Sequence, residues 1–199
     1  MRFDPKIHHR RSIRLKGYDY SQTGAYFVTI VAWQREMLFG EIMNGKMLMN
    51  RCGQIVRKAW FDLPNHYRHG ELGAFVIMPN HVHGIIVLND GVSRGGSPLT
   101  DKTILSDETN AGKNPLPIKQ TRPYMTEKRH GLPEIVRAFK SFSARRINAL
   151  RYTEGIPVWQ RNYYEHVIRN EREMDRIARY IESNPLRWAD DEENPGRLP

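Results

Sequence analysis

The chain has little of what marks secreted, disulfide-held or membrane-spanning proteins. It carries one cysteine, Cys52, which excludes an internal disulfide and a zinc centre built on several thiolates. No run approaches the roughly 20 apolar residues of a membrane span. The N-terminus is polar and basic with no apolar stretch behind it, so no secretory leader is expected. Acidic residues are outnumbered: 22 Asp and Glu stand against 31 Lys and Arg, a net charge of +9. That imbalance favours polyanionic partners, nucleic acid first, although a basic surface can also serve solubility alone. The 199 residues suit one domain with a sizeable core in a soluble, reducing, cytoplasmic setting.

What is present centres on residues 75–88, FVIMPNHVHGIIVL. Two apolar runs flank Pro79-Asn80, both turn formers, which reads as two buried strands joined by a tight connection. Side chains two apart in a strand share a face, so His81 and His83 stand side by side at a strand end. Such a pair can hold one metal ion from a rigid base. Two histidines that only hydrogen-bond near a sheet edge are the competing reading.

Around this hairpin the chain divides as follows. Residues 1–25 form a basic arm whose Arg10, Arg11, Arg14 and Lys16 suit phosphate contacts or a solvated tail. Residues 26–33, YFVTIVAW, predict a first buried strand. Asn44-Gly45 signals a small hairpin. Asn50 caps a helix running to about residue 63, with Ile55, Val56, Ala59, Trp60 and Leu63 at helical spacing, and Pro64 stops it. Residues 89–131 have many Gly and Pro and no period, and read as a long flexible insertion.

A second helix starts at Pro133 and runs to about residue 151. Val136, Phe139, Ile147 and Leu150 mark its inner face; Arg137, Lys140, Arg145 and Arg146 mark a basic outer face for DNA or for solvent. Residues 158–167 give a fourth strand or two fragments. The last helix spans about 171–183 and ends at Asn184-Pro185. A tail follows from 189 to 199. The order β-α-β-β-α-β predicts an α+β, ferredoxin-like antiparallel sheet with helices on one face and an added C-terminal helix. On that last helix Met174, Ile177, Ala178 and Ile181 make the apolar stripe, and Tyr180 lies at its flank, roughly 100° from the stripe centre. By itself Tyr180 is a boundary tyrosine. Beside an HxH strand in a basic chain it becomes a candidate nucleophile, with Tyr163 and Tyr164 as rivals.

The strings MPNHVHGI, WQRNYYEHVIRN and ARYIESNP, in that order, resemble the single-tyrosine HUH transposases, and within them the REP-associated tyrosine transposases. The likeness covers residues 26–87 and 132–186, the body of a domain spanning 26–188. It implies that Tyr180 is the nucleophile and that Asn184, where insertion-sequence relatives carry Gln, joins His81 and His83 as third metal ligand. With no thiolate donor, Mg²⁺ or Mn²⁺ suits the set better than zinc. The resemblance further implies single-stranded or hairpin DNA as partner, a 5′-phosphotyrosine intermediate, a nucleoid location, action as monomer or homodimer, and no membrane or small-molecule cofactor. Two other functions remain open: a hairpin-binding regulator with an idle site, and an HxH metalloenzyme acting on a small molecule. Against the last, the chain lacks room for a (β/α)₈ barrel and shows no carboxylate ligand at a familiar spacing.

Overall fold

Strand β1 (Gly24–Val31) forms the middle of the sheet because its apolar residues are needed on both faces. The computed structural model describes residues 15, 17–90 and 130–197. The basic-arm candidates Arg10, Arg11, Arg14 and Lys16, and the insertion from 91 to 129, lie outside the described residues. A small hairpin follows β1, made of β2 (Gly40–Met43) and β3 (Lys46–Met49). Asn44 and Gly45 both take positive φ, as a tight hairpin turn demands. Helix α1 (Arg51–Phe61) opens on Asn50, whose Oδ1 accepts the Gly53 N–H at 3.0 Å. Pro64 does more than stop it: Pro64 lies in the first turn of a further short helix, α2 (Leu63–His66).

Strands β4 (Gly70–Ile77) and β5 (His81–Leu88) form the predicted hairpin, closed by the Met78 N–H donating to the His81 carbonyl at 2.8 Å. Helix α3 (Leu132–Arg151), edge strand β6 (Tyr164–Ile168) and helix α4 (Glu171–Ser183) complete the order. The sheet runs β4-β5-β1-β6 with every pair antiparallel, the ferredoxin-like arrangement. The predicted fourth strand is in two pieces: Trp159 bridges to Ala32, and β6 pairs with β1.

Alternation along the strands sorts the core onto two faces. Tyr26, Val28 and Ile30 of β1 and Val82 and Ile86 of β5 meet Val56 and Trp60 of α1 and Val136 and Phe139 of α3. Trp60 stacks on Phe75 at 4.5 Å between ring centroids and meets Phe139 edge-on at 5.3 Å. Its ring lies over Gly84, where a Cβ would overlap it. The opposite face is smaller: Phe27, Ile85 and Ile168 pack on Ile177 and Ile181 of α4. Helix α4 is held at its start by Asn170, whose Oδ1 accepts the Glu173 N–H at 2.9 Å, while Glu173 accepts the Arg169 N–H at 2.9 Å. Beyond α4 a 3-10 turn, Asn184–Asp190, continues from the helix end. Among the described residues no helix is long and apolar enough to cross a membrane.

Candidate active site

The histidines come from the start of β5, covered on both faces, and both are buried. Their Nε2 atoms lie 3.0 Å apart. Burial pushes the pKa of each imidazole down to about 3, with the neighbouring His81 adding to the effect at His83, so both are neutral near pH 7.

Two polar side chains orient the rings from behind. Asn80 is fully buried, and its Nδ2 donates to the carbonyls of Arg35 at 3.2 Å and Glu193 at 2.7 Å. Those acceptors fix the amide, so Asn80 Oδ1 faces His81 Nδ1 at 2.8 Å. His81 Nδ1 therefore carries the proton, and its Nε2 presents a lone pair. Sheet register puts Thr29 of β1 directly opposite His83, with the Thr29 hydroxyl 2.8 Å from His83 Nδ1. A hydroxyl both donates and accepts. His83 can thus hold its proton on Nε2, donating to His81 Nε2, or on Nδ1, donating to Thr29. The second state frees both Nε2 lone pairs for one cation.

Tyr180 reaches this pair from α4. Its hydroxyl is 3.5 Å from His83 Nε2, and its ring lies 5.3 Å from the His83 ring and edge-on to Phe27 at 6.1 Å. The tyrosine is 40% exposed, which leaves the hydroxyl side open to a large substrate. Partial burial raises its pKa, the carboxylates of Asp191, Glu192 and Glu193 raise it further, and a hydrogen bond from Asn184 works the other way. Asn184 itself is buried, and its Oδ1 has no hydrogen-bond partner.

A further donor, a carboxylate, had no signal in the sequence. Asp191 ends the 3-10 turn, and its Oδ2 is 3.8 Å from His81 Nε2. His81, His83 and Asp191 offer ligand atoms all within 4.8 Å of one another. The group is compatible with a divalent ion, and the 3.0 Å between the histidine nitrogens lets both reach one cation. The orphaned Asn184 oxygen is a buried acceptor of the kind that a cation or water satisfies.

The other candidates fall elsewhere. Tyr164 is half exposed on β6, its ring 6.2 Å from Phe27, so it borders the same face as Tyr180. Tyr163 is partly buried against the main core. Arg137, Arg145 and Arg146 lie exposed on α3, whereas the Lys140 ammonium turns in to the carbonyls of Gln160 at 2.6 Å and Arg161 at 2.9 Å. Burial lowers the pKa of that lysine to about 8. The α3 residues pack on the side of the sheet opposite α4.

A ferredoxin-like sheet carries an HxH pair on an inner strand, with a tyrosine-bearing helix laid over that pair. No protein-family model matches the chain. An uncharacterized protein of Haemophilus influenzae is 37% identical over 193 residues, covering 96% of each chain. A second Haemophilus influenzae protein, provisionally named a REP-associated tyrosine transposase, is 25% identical over 169 residues, 85% of this chain and 74% of that one. The solved structure of a REP-associated tyrosine transposase bound to a REP hairpin shares the fold, with a TM-score of 0.51 at 18% identity over 90% of this chain and 80% of that one. The chain is thus similar in sequence to a protein provisionally named a REP-associated tyrosine transposase, and shares its fold with the solved structure of such a transposase.

Proposed function

We propose that this protein is a metal-dependent single-strand DNA endonuclease and strand transferase that acts at DNA hairpins through Tyr180. The observation that carries the reading is the Tyr180 hydroxyl 3.5 Å from one of two neutral, paired imidazoles on a rigid strand. His81 and His83, with Asn184 or Asp191 supplying oxygen, would hold Mg²⁺ or Mn²⁺. When bound, that ion supplies Lewis acidity toward a phosphate oxygen and offsets the carboxylate charge around the phenol. Asn80 fixes the lone pair of His81, and Thr29 accommodates the proton of His83. Tyr180 Oη bonds to phosphorus as the P–O3′ bond breaks; the phenol proton is balanced by the one taken up on the released 3′-oxygen. The 5′-phosphotyrosine keeps the phosphodiester energy, so a second 3′-OH can reverse the step and join strands without ATP. The described domain is the catalytic unit of this reading, and the basic arm at 1–25 and the exposed arginines of α3 are candidates for binding the DNA backbone.

The test mixes the protein with hairpin DNA from repeats flanking its own gene, in Mg²⁺ or Mn²⁺, and looks for a protein–DNA adduct on a denaturing gel. A metal-dependent adduct that disappears in Tyr180→Phe and His81→Ala is expected. An adduct that survives Tyr180→Phe would move the nucleophile to Tyr164 or Tyr163. Tight hairpin binding with no adduct in either metal would make the protein a regulator with an idle site.

A further inference from the structure

On the side of the sheet away from α4, a cavity of about 420 Å³ opens between the start of α3 and the loop 160–163 that leads into β6. A volume of that order suits a small ligand. Neither histidine of the HxH pair lines it, nor does Tyr180. Arg137, Lys140 and Ser141 form one wall, and their spacing of three and four residues puts them on one face of α3. Arg161 and Tyr163 of the loop form the other. The Lys140 ammonium is fixed by the carbonyls of Gln160 and Arg161, at 2.6 and 2.9 Å. An ammonium has three N–H donors, so one is left over. Both acceptors are neutral, and among the described residues no carboxylate forms an ion pair with Arg137, Lys140 or Arg161. Burial without a counter-ion holds the lysine down to about 8. Glu134 is the one carboxylate among the lining residues, against those three cations.

We propose that this cavity binds a phosphate monoester, the terminal phosphate of a small molecule of nucleotide size, with Arg137, Lys140 and Arg161 sharing its oxygens. The placement of the cations selects that group. They come from two facing walls, so the ligand must offer acceptors on several sides. A monoester near pH 7 carries close to two negative charges and three free oxygens. Arginine can take two of those oxygens at once, and lysine adds a point charge. A diester within a nucleic-acid strand has only two free oxygens, and both of its ester arms would have to leave the cavity. A duplex crossing the surface of α3 would meet the exposed guanidinium groups, whereas the ammonium is drawn back against the loop carbonyls. The Ser141 hydroxyl, one turn on from Arg137, adds a neutral donor to the same wall.

The site stands apart from the nuclease reading, so its test needs no cleavage. Calorimetry in EDTA titrates the full chain with inorganic phosphate, with adenosine 5′-monophosphate, and with dimethyl phosphate as the diester control. The first two are expected to bind saturably and to displace one another, and the diester is expected not to bind. Arg137→Ala with Arg161→Ala should weaken both ligands by about 10-fold or more, and Lys140→Gln should do the same. Both arginines are exposed, so the double variant should melt with the wild type. It decides the matter even where the lysine variant fails to fold. A single-stranded oligonucleotide with and without a 5′-phosphate separates the two sources of a monoester. If only the phosphorylated strand displaces the nucleotide, and does so at lower concentration than inorganic phosphate, the monoester is a strand end and the site is upheld. Absence of saturable binding, equal affinity for the diester, or full affinity in the folded double variant overturns the proposal.

Discussion

Asn80 carries more of the site than a turn residue should, and Asn80→Ala measures how much. The substitution removes three hydrogen bonds at once: the two that Nδ2 donates to Arg35 and Glu193, and the one that Oδ1 accepts from His81. An orphaned buried polar group costs about 1–3 kcal/mol. The His81 Nδ1–H lies in a fully buried ring and takes the upper part of that range, whereas the two carbonyls are partly buried and can recover water. The loss of stability should be about 2–4 kcal/mol, a large share of the roughly 5–15 kcal/mol that holds a domain together. A second effect acts on the proposed metal site. Freed from Asn80, His81 can move its proton to Nε2 and withdraw its lone pair, so Mn²⁺ affinity should fall about 10- to 100-fold. Urea unfolding reads the first effect, Mn²⁺ titration followed by electron paramagnetic resonance reads the second, and ¹⁵N chemical shifts report the tautomer directly. Asn80→Asp is an informative partner: it keeps an acceptor for His81 but turns an oxygen toward two carbonyls, so it should preserve the tautomer while losing stability. An Asn80→Ala protein within about 0.5 kcal/mol of wild type, with His81 still protonated on Nδ1, would refute the reasoning.

Metal-free stability should depend on pH through the two histidines. Their folded values, about 3, lie below the ordinary 6.5, so between those limits the unfolded chain binds protons that the native protein does not. Stability should therefore fall as pH drops from 6.5 toward 3, by up to about 1.4 kcal/mol per pH unit for each histidine, with no contribution above that window. Urea midpoints at pH 7.5, 6 and 5 in EDTA check this, and an unchanged slope in the His81→Gln, His83→Gln protein would contradict it. Gly84→Ala should drive a methyl into the Trp60 ring, which is fixed by Phe75 and Phe139, at a cost of about 1–3 kcal/mol. Thermal melts of that variant alone and with Trp60→Leu should show strong non-additivity, and simple additivity would mean that the overlap is not the cause.

The parts of this site that local spacing can encode were legible in the sequence. HxH in an apolar run fixes two imidazoles on one face, and a four-residue apolar stripe fixes Tyr180 at the flank of its helix. What escaped depends on pairings between distant segments. Thr29 meets His83 only because β1 and β5 pair in one register out of several. Asp191 arrives through a 3-10 turn with no apolar period, and nothing in its neighbours marks it as facing inward. Lys140 holds a solvent-facing position in the helical pattern of α3, but its long stem lets the ammonium bend back to two loop carbonyls. Asn80 was visible as a turn former, a role that any Pro-Asn pair would serve. Its hydrogen bond to the Glu193 carbonyl spans more than half the chain.

The two halves of the site are supported by different cores. The histidines sit on a strand backed by the large cluster around Trp60, Tyr26 and Phe139, with hydrogen bonds behind each ring. Tyr180 depends on α4, which is anchored by Ile177 and Ile181 on the small cluster of the other face, and Phe27 is its aromatic neighbour there. A base to hold an ion should not shift, because an error of a few tenths of an ångström changes its ligand set. In the proposed reaction, a nucleophile that must attack, remain bonded to a strand end and later be released would gain from a lighter attachment. A helix seated on a few buried side chains can adjust without disturbing a strand held from the opposite face. Phe27 belongs to both: it stacks on His83 at 5.5 Å and meets Tyr180 edge-on. Its place on the central strand ties the light half of the site to the rigid one.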